Sequence, residues 1–348
     1  VDLMSERPFL KALYTRPDAF YSYYSDNDVF GIKVNPVAHL QLGAESNGAG
    51  LKFINTRGIE LRMSLKNTVG FYTYLTDNQM RNANYVGSFI DQREAVPGEG
   101  FYKDLSNNGV DFFTARGYMD FTVLDHLYFK FGYDKHFIGN GYRSLFLSDF
   151  SNNMMFLQFK LDVWRISYQS IFAELIQQYD RGADRLLPKK YAAFHHLNIS
   201  FTHWLDIGLF EGVIMSRDDH FELHYLNPLI FYRSIESDLG SPDNSVIGLD
   251  WKANIFSTAQ FYGQVLIDEF NFAEITQNDG WWGNKFGWQL GLKYIDFATI
   301  PNLDFQFEYN GVRPYTYTHK SISNYTHYNQ PLAHPLGANF HEFISIFR

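Results

Sequence analysis

The sequence predicts an all-β protein, a transmembrane antiparallel β-barrel, and three observations carry that prediction. The first is alternation: Ile59, Leu61, Met63 and Leu65 interleave with Glu60, Arg62, Ser64 and Lys66. Phe286, Trp288, Leu290, Leu292 and Tyr294 likewise interleave with Lys285, Gln289 and Lys293. Successive side chains of a strand point to opposite faces, so each segment has one apolar face and one wet face. The second is composition. Aromatic residues make up 18% of the 348 residues, heavy for a soluble domain and natural for a barrel with interfacial aromatic girdles. The third is the spacing of the joins, short and long in alternation.

The bulk numbers set bounds. Mean hydropathy is -0.27 and no run of about 18 apolar residues occurs, so no transmembrane helix is expected. There is no cysteine, which excludes a disulfide scaffold and any thiolate metal site. A net charge of -9 argues against a nucleic-acid partner held by phosphate contacts.

Taken in order, residues 1–28 alternate poorly and are broken by Ser5-Glu6-Arg7-Pro8 and Arg16-Pro17-Asp18, so they read as an N-terminal periplasmic or rim segment. Residues 29–348 read as the barrel. After the segment at 59–66, Phe113, Ala115, Gly117, Met119, Phe121 and Val123 oppose Thr114, Arg116, Tyr118, Asp120 and Thr122. Leu127, Phe129, Phe131 and Tyr133 oppose Tyr128, Lys130 and Asp134. The same rule holds for 155–163, 247–255, 286–294 and 303–309. None of these segments carries a charge on its apolar face, where mid-bilayer lipid would penalise it by roughly 2–4 kcal/mol.

Alternation alone does not say which face points inward, because a soluble barrel shows the same pattern. The joins decide. Tight joins fall at Asn67-Thr68, Asp125-His126, Trp164-Arg165, His203-Trp204, Ser257-Thr258 and Ala298 to Asn302. Long ones fall near 77–110, 135–153, 177–193, 216–245, 269–284 and 311–339. Short periplasmic turns and long extracellular loops are the asymmetry of outer-membrane barrels, so the bacterial outer membrane is the expected location. About fourteen strands are expected on this count. The sequence stops at Arg348 within an apolar stretch (Phe343, Ile344, Ile346, Phe347), so either the last strand pairs with the first or further strands belong to the full protein.

Catalytic signatures are absent: there is no G-x-S-x-G, H-E-x-x-H or P-loop, and neither an enzyme nor a cofactor is expected. His220, Glu222 and His224 would share a face on a strand and could bind a metal, though a wet face explains them as well. Asp26-Asn27-Asp28 resembles half a calcium loop without the glycine and glutamate at their offsets. His195-His196 is expected to open a strand, and His203 to lie in a tight turn. The long joins carry rings beside Asn, Asp and Arg, the combination used for sugars. Rings stack on apolar sugar faces and polar groups bond hydroxyls. Tyr142, Arg143, Trp281, Trp282, Arg313 and Tyr315 are the candidate glycan-binding residues, the alternative being that these rings pack the long joins against one another. The wet faces carry both signs, in Glu60, Arg62, Arg116, Asp120, Lys130, Asp250, Lys252 and Glu308. Such charges should pair into a lumen network and favour an occluded barrel over an open porin. The apolar run from Leu226 to Tyr232 is expected to fold inward as a plug or to pack on the rim.

Several stretches resemble the capsule-assembly (Wzi) family in its Bacteroidota branch, some of whose members are described as gliding-motility outer-membrane proteins. They are Gly139 to Asp149 (GNGYRSLFLSD), Asn55 to Ile59, Tyr225 to Pro228, Tyr309 to Tyr315 and Leu332 to Phe340. The resemblance implies an outer-membrane barrel of about eighteen strands that acts as a non-enzymatic surface lectin anchoring exported polysaccharide. Expected partners are therefore surface polysaccharide and outer-membrane lipid. An accessory role in a secretion or gliding assembly, with other outer-membrane proteins or lipoproteins as partners, and a diffusion porin are the alternatives.

Overall fold

The alternation of the sequence becomes strand after strand in a computed structural model. It describes residues 19–25, 27, 29–46, 50–66, 68–182, 184–216, 222–227, 232, 243–269, 281–319 and 322–348. The chain divides into two compact units, Val1–Asp134 with Met155–Leu157, and Lys135–Met154 with Gln158–Arg348.

The first unit holds β1 (Tyr21–Tyr24), β2 (Phe30–Gly43), β3 (Lys52–Leu65), β4 (Val69–Arg81), α1 (Asn84–Arg93), β5 (Lys103–Leu105), β6 (Gly109–Leu124) and β7 (Leu127–Asp134). Its ladder runs β1-β2-β3-β4-β6-β7, every pair antiparallel, with β5 as a short addition to β6. The second unit contains most of β8 (Met154–Val163), then β9 (Ile166–Ile176), β10 (Lys189–Ser200), β11 (Leu205–Met215), β12 (Asn244–Ile255), β13 (Ala259–Glu269), β14 (Lys285–Tyr294), β15 (Phe305–Val312), β16 (Thr326–His327), β17 (Gln330–Pro331) and β18 (Phe340–Phe347). Its ladder follows chain order from β8 to β15 and then β18, while β16 and β17 pair only with each other. Strands that follow one another in sequence and pair antiparallel need only tight turns, and the turns fall where the sequence puts them. His195 and His196 lie mid-strand in β10, a correction to their expected place at a strand start.

The faces are inverted relative to a soluble protein. On β14, Leu290 is 52% exposed and its neighbour Gln289 1%; on β12, Leu249 is 42% exposed and Asp250 3%. The first unit repeats this, with Ile59, Phe71, Phe113 and Phe131 exposed while Thr76 and Asn78 are buried. A wall that turns leucines outward and glutamines inward is stable only where the outer solvent is hydrocarbon. Trp164 and Phe256 stand almost fully exposed in the tight turns, as interfacial anchors do.

Apolar cores form at the long-join ends of the strands. In the first unit Met80, Ile90, Val96, Tyr102 and Val110 pack together, and α1 contributes Ile90. The helix lacks a side-chain cap of its own at Ala83, and the Glu45 carboxylate accepts the Asn84 N–H instead. In the second unit Ala193, Val213, Met215, Tyr225 and Tyr232 form the corresponding cluster.

Candidate functional site

The long join at 135–153 lies against the inner wall of β13–β15 in the second unit. Glu308 on β15 is completely buried, and its carboxylate accepts four hydrogen bonds. Two come from the backbone N–H groups of Tyr142 (2.6 Å) and Arg143 (3.0 Å), one from the Tyr262 hydroxyl (2.8 Å) and one from the Asn310 amide (2.9 Å). A buried carboxylate is tolerable when its lone pairs are filled in this way. Gln264 accepts from Leu145 N–H (2.8 Å), Gln289 donates to the Arg143 carbonyl (2.9 Å), and Lys293 Nζ donates to the Asn140 carbonyl (2.7 Å). Side chains of three successive strands thus hold the backbone from 140 to 145. Gly141 is required for the approach, since a Cβ there would come within 2.5 Å of Glu308 Oε2.

Beyond the anchor, Leu145, Phe146 and Leu147 are fully buried, and Phe146 stacks on Phe210 at 4.5 Å. The join at 313–339 closes over them. Tyr317 donates to the Leu145 carbonyl (2.8 Å), Tyr325 to the Phe146 carbonyl (2.7 Å), and Ser148 N–H to the Leu332 carbonyl (2.8 Å). Burial pushes both tyrosine hydroxyls up from their ordinary range. His327 ties this join to the end of β9 and to the join at 135–153, accepting from Ile176 N–H at Nδ1 (3.0 Å) and donating from Nε2 to the Asn153 carbonyl (2.9 Å). Burial pulls its pKa down to about 3. Lys190 Nζ, on β10, donates to the Asn324 carbonyl and Thr326 Oγ1.

The six candidate glycan-binding residues separate into two groups. Tyr142 and Arg143 belong to the anchored join: Arg143 lies over the Tyr142 ring (5.0 Å) and reaches Glu342 (3.7 Å), which also accepts from His334. Trp281, Trp282, Arg313 and Tyr315 gather into one patch. The two indole rings lie 6.3 Å apart, Trp282 meets Tyr315 edge-on at 5.9 Å, and Arg313 donates to the Trp281 carbonyl while its guanidinium covers Phe286. Phe286 stands on the outward parity of β14, and Arg313 continues the outward parity of β15, so the patch caps the outer wall at the long-join end. Trp282 and Tyr315 remain exposed.

The inner-face charges pair by different routes. In the first unit Glu60 meets Arg62 (2.5 Å), Arg116 approaches Asp134 (3.9 Å) and covers the Tyr74 ring, Asp120 faces Lys130 across the ladder, and Lys130 covers Tyr118. In the second, Lys252 pairs with Asp206 (2.7 Å), His196 Nε2 with Asp250 (2.9 Å), and Glu308 with backbone amides. Glu222 and His224 fall at a short 3-10 turn, where they bond each other at 2.6 Å; His220, Asp26, Asp28 and residues 228–231 lie outside the described residues. The anchoring role of the inward glutamines, and the cover that Tyr317 and Tyr325 give to the 135–153 join, were not read from sequence. Their signal was polar yet uncharged: Gln264, Gln289, Gln306 and Asn310 all sit on wet faces.

No protein-family model matches the sequence, and no curated protein matches it. Among solved structures the chain is similar to Wzi of Escherichia coli, an outer-membrane protein involved in group 1 capsule assembly and described as a carbohydrate-binding β-barrel, with 14% identity and a TM-score of 0.55. That match covers 91% of this chain and 66% of Wzi, so the chain spans just under two thirds of that protein. It also aligns with two Pseudomonas aeruginosa structures, OccK8 (OprE) at 12% identity, TM-score 0.38, covering 81% of this chain and 82% of that one, and OpdO at 12% identity, TM-score 0.43, covering 82% and 71%. With its outward leucines, inward glutamines and alternating joins, the chain has the fold of a bacterial outer-membrane β-barrel.

Proposed function

We propose that this protein is a non-enzymatic outer-membrane barrel that binds surface polysaccharide at its long-join end. The observation that carries the reading is the Trp281–Trp282–Tyr315 patch with Arg313 beside it. Exposed rings offer faces for sugar stacking, and a guanidinium bonds hydroxyls or acidic sugar groups in bidentate fashion. The anchored join at 135–153 supports binding over diffusion, because it occupies inner-wall space that an open pore would leave to water. The likeness to a carbohydrate-binding barrel points the same way. In this reading residues 29–348 form the barrel, and Tyr21–Tyr24, within the segment expected at the rim, already pairs with β2 as part of the wall.

The test is cell-attached against shed polysaccharide in a strain carrying Trp281→Ala with Trp282→Ala. Each stacked ring contributes about 1 kcal/mol, so losing both should weaken retention about tenfold or more while the barrel stays folded. Unchanged retention removes the patch from glycan binding and leaves an accessory role in an outer-membrane assembly as the reading to pursue.

A further inference from the structure

On the inner face of β10–β12 lies a polar chamber of about 210 Å³, roofed by Ile138, Gly139 and Asn140 of the anchored join. His196, Asn198, Asp206, Asp250 and Lys252 line it from the strands. The register explains its shape. Gly208 on β11 lies between Asn198 on β10 and Asp250 on β12, and one rung nearer the tight turns Asp206 faces Lys252. A Cβ at Gly208 would overlap Asp250 Oδ1 and His196 Nε2. The glycine therefore clears the chamber wall and lets His196 reach diagonally across β11 to donate to Asp250 at 2.9 Å.

We propose that this chamber binds one neutral sugar ring, at a site independent of the rim patch. Size points to a single ring, because sites for drug-sized ligands run roughly 300–1,000 Å³ and this one is smaller. Charge points to a neutral ligand. Lys252 is already paired with Asp206 at 2.7 Å, so it offers no unopposed cation to an acid. Its ammonium among the two carboxylates equally disfavours a metal cation. What remains is a wall of mixed donors and acceptors: carboxylate oxygens, an ammonium, an imidazole and two Asn amides. Such a wall matches vicinal hydroxyls, each of which donates once and accepts twice. Fixed by the Lys252–Asp206 ion pair, the His196–Asp250 hydrogen bond and the strands beneath, these groups are held before the ligand arrives, which limits the ordering cost of binding.

The experiment is calorimetric titration of the whole detergent-solubilised protein with methyl glucoside, methyl galactoside and methyl mannoside. Sodium glucuronate and calcium chloride serve as the anionic and cationic probes. The expected result is saturable millimolar binding of at least one neutral glycoside and of neither charged probe. Asn198→Leu, and separately Gly208→Ala, should weaken that binding about tenfold, the loss of one or two good hydrogen bonds. Trp281→Ala with Trp282→Ala should leave it unchanged. The proposal is overturned if no neutral glycoside saturates, if glucuronate or calcium binds in its place, or if the tryptophan variant abolishes binding while Asn198→Leu does not. That last outcome assigns the sugar to the rim, so the chamber and the rim patch fail separately. Heat-modifiable migration of each variant confirms that the barrel is folded.

Discussion

Glu308 shows how a single side chain sets the position of a whole join. Its four donors come from β13, β15 and two adjacent backbone amides, and Tyr262 and Asn310 are buried with it. Glu308→Ala would leave these neutral donors facing a void, at a cost of about 1–3 kcal/mol for each buried one that stays unpaired. Glu308→Gln should cost less, because its amide oxygen still accepts while its NH2 opposes the donors. The check is limited proteolysis between 135 and 153 together with the thermal midpoint. An alanine variant that protects the join as well as the wild type would show that the apolar packing of Leu145 to Leu147 suffices without the carboxylate. From sequence, Glu308 was legible as an inward charge, since it lies on the wet parity of its strand. Its partners were not, because backbone amides 165 and 166 residues away leave no trace in local pattern. Asp250 is similar: Lys252 is near in sequence but on the same strand, and His196 reaches Asp250 only because Gly208 has no side chain.

At the level of elements, the strands were legible because period-two alternation is local and one face of each strand must meet lipid. The tight turns followed from the strand ends. The short pieces were not: α1 and β5 lie inside a stretch read as a join, and β16 and β17 span only two residues each. The join at 313–339 is an element whose docking depends on protonation. His327 accepts at Nδ1 and donates at Nε2, which only the neutral ring does. Its pKa falls from 6.5 to about 3 on docking, so the undocked join binds a proton first as the pH drops. Docking is therefore at full strength above 6.5 and weakens toward 3, by about 1.4 kcal/mol per pH unit. Protection factors for amide exchange across 313–339, with the intrinsic pH dependence of exchange divided out, should fall between neutral pH and about pH 5. In His327→Gln that acid-dependent change should disappear, since the amide keeps a donor and an acceptor but does not titrate. An identical acid response in the glutamine variant would assign the change to other groups.

For the whole molecule, the outward wall is a statement about solvent. Leu249 stands exposed on β12 next to buried Asp250. Leu249→Arg should cost about 2–4 kcal/mol when the protein is folded into lipid vesicles, whereas Leu249→Ala should cost much less. Reversible urea unfolding from vesicles measures both, and an arginine as well tolerated as alanine would mean that this part of the wall does not meet hydrocarbon.

The anchoring of the join at 135–153 also sets an order of events in time. Its backbone is held by Gln264, Gln289, Lys293 and Glu308, residues that leave the ribosome well over a hundred positions later. Until β13, β14 and β15 are in place, the segment Leu145 to Leu147 has neither its polar holders nor the tyrosine cover of the 313–339 join. Contacts of such long sequence separation form slowly. A chain whose β13 to β15 have not yet formed thus carries an unsheltered apolar tripeptide, so protection of Leu145 to Leu147 from an added protease reports that the later strands are in place.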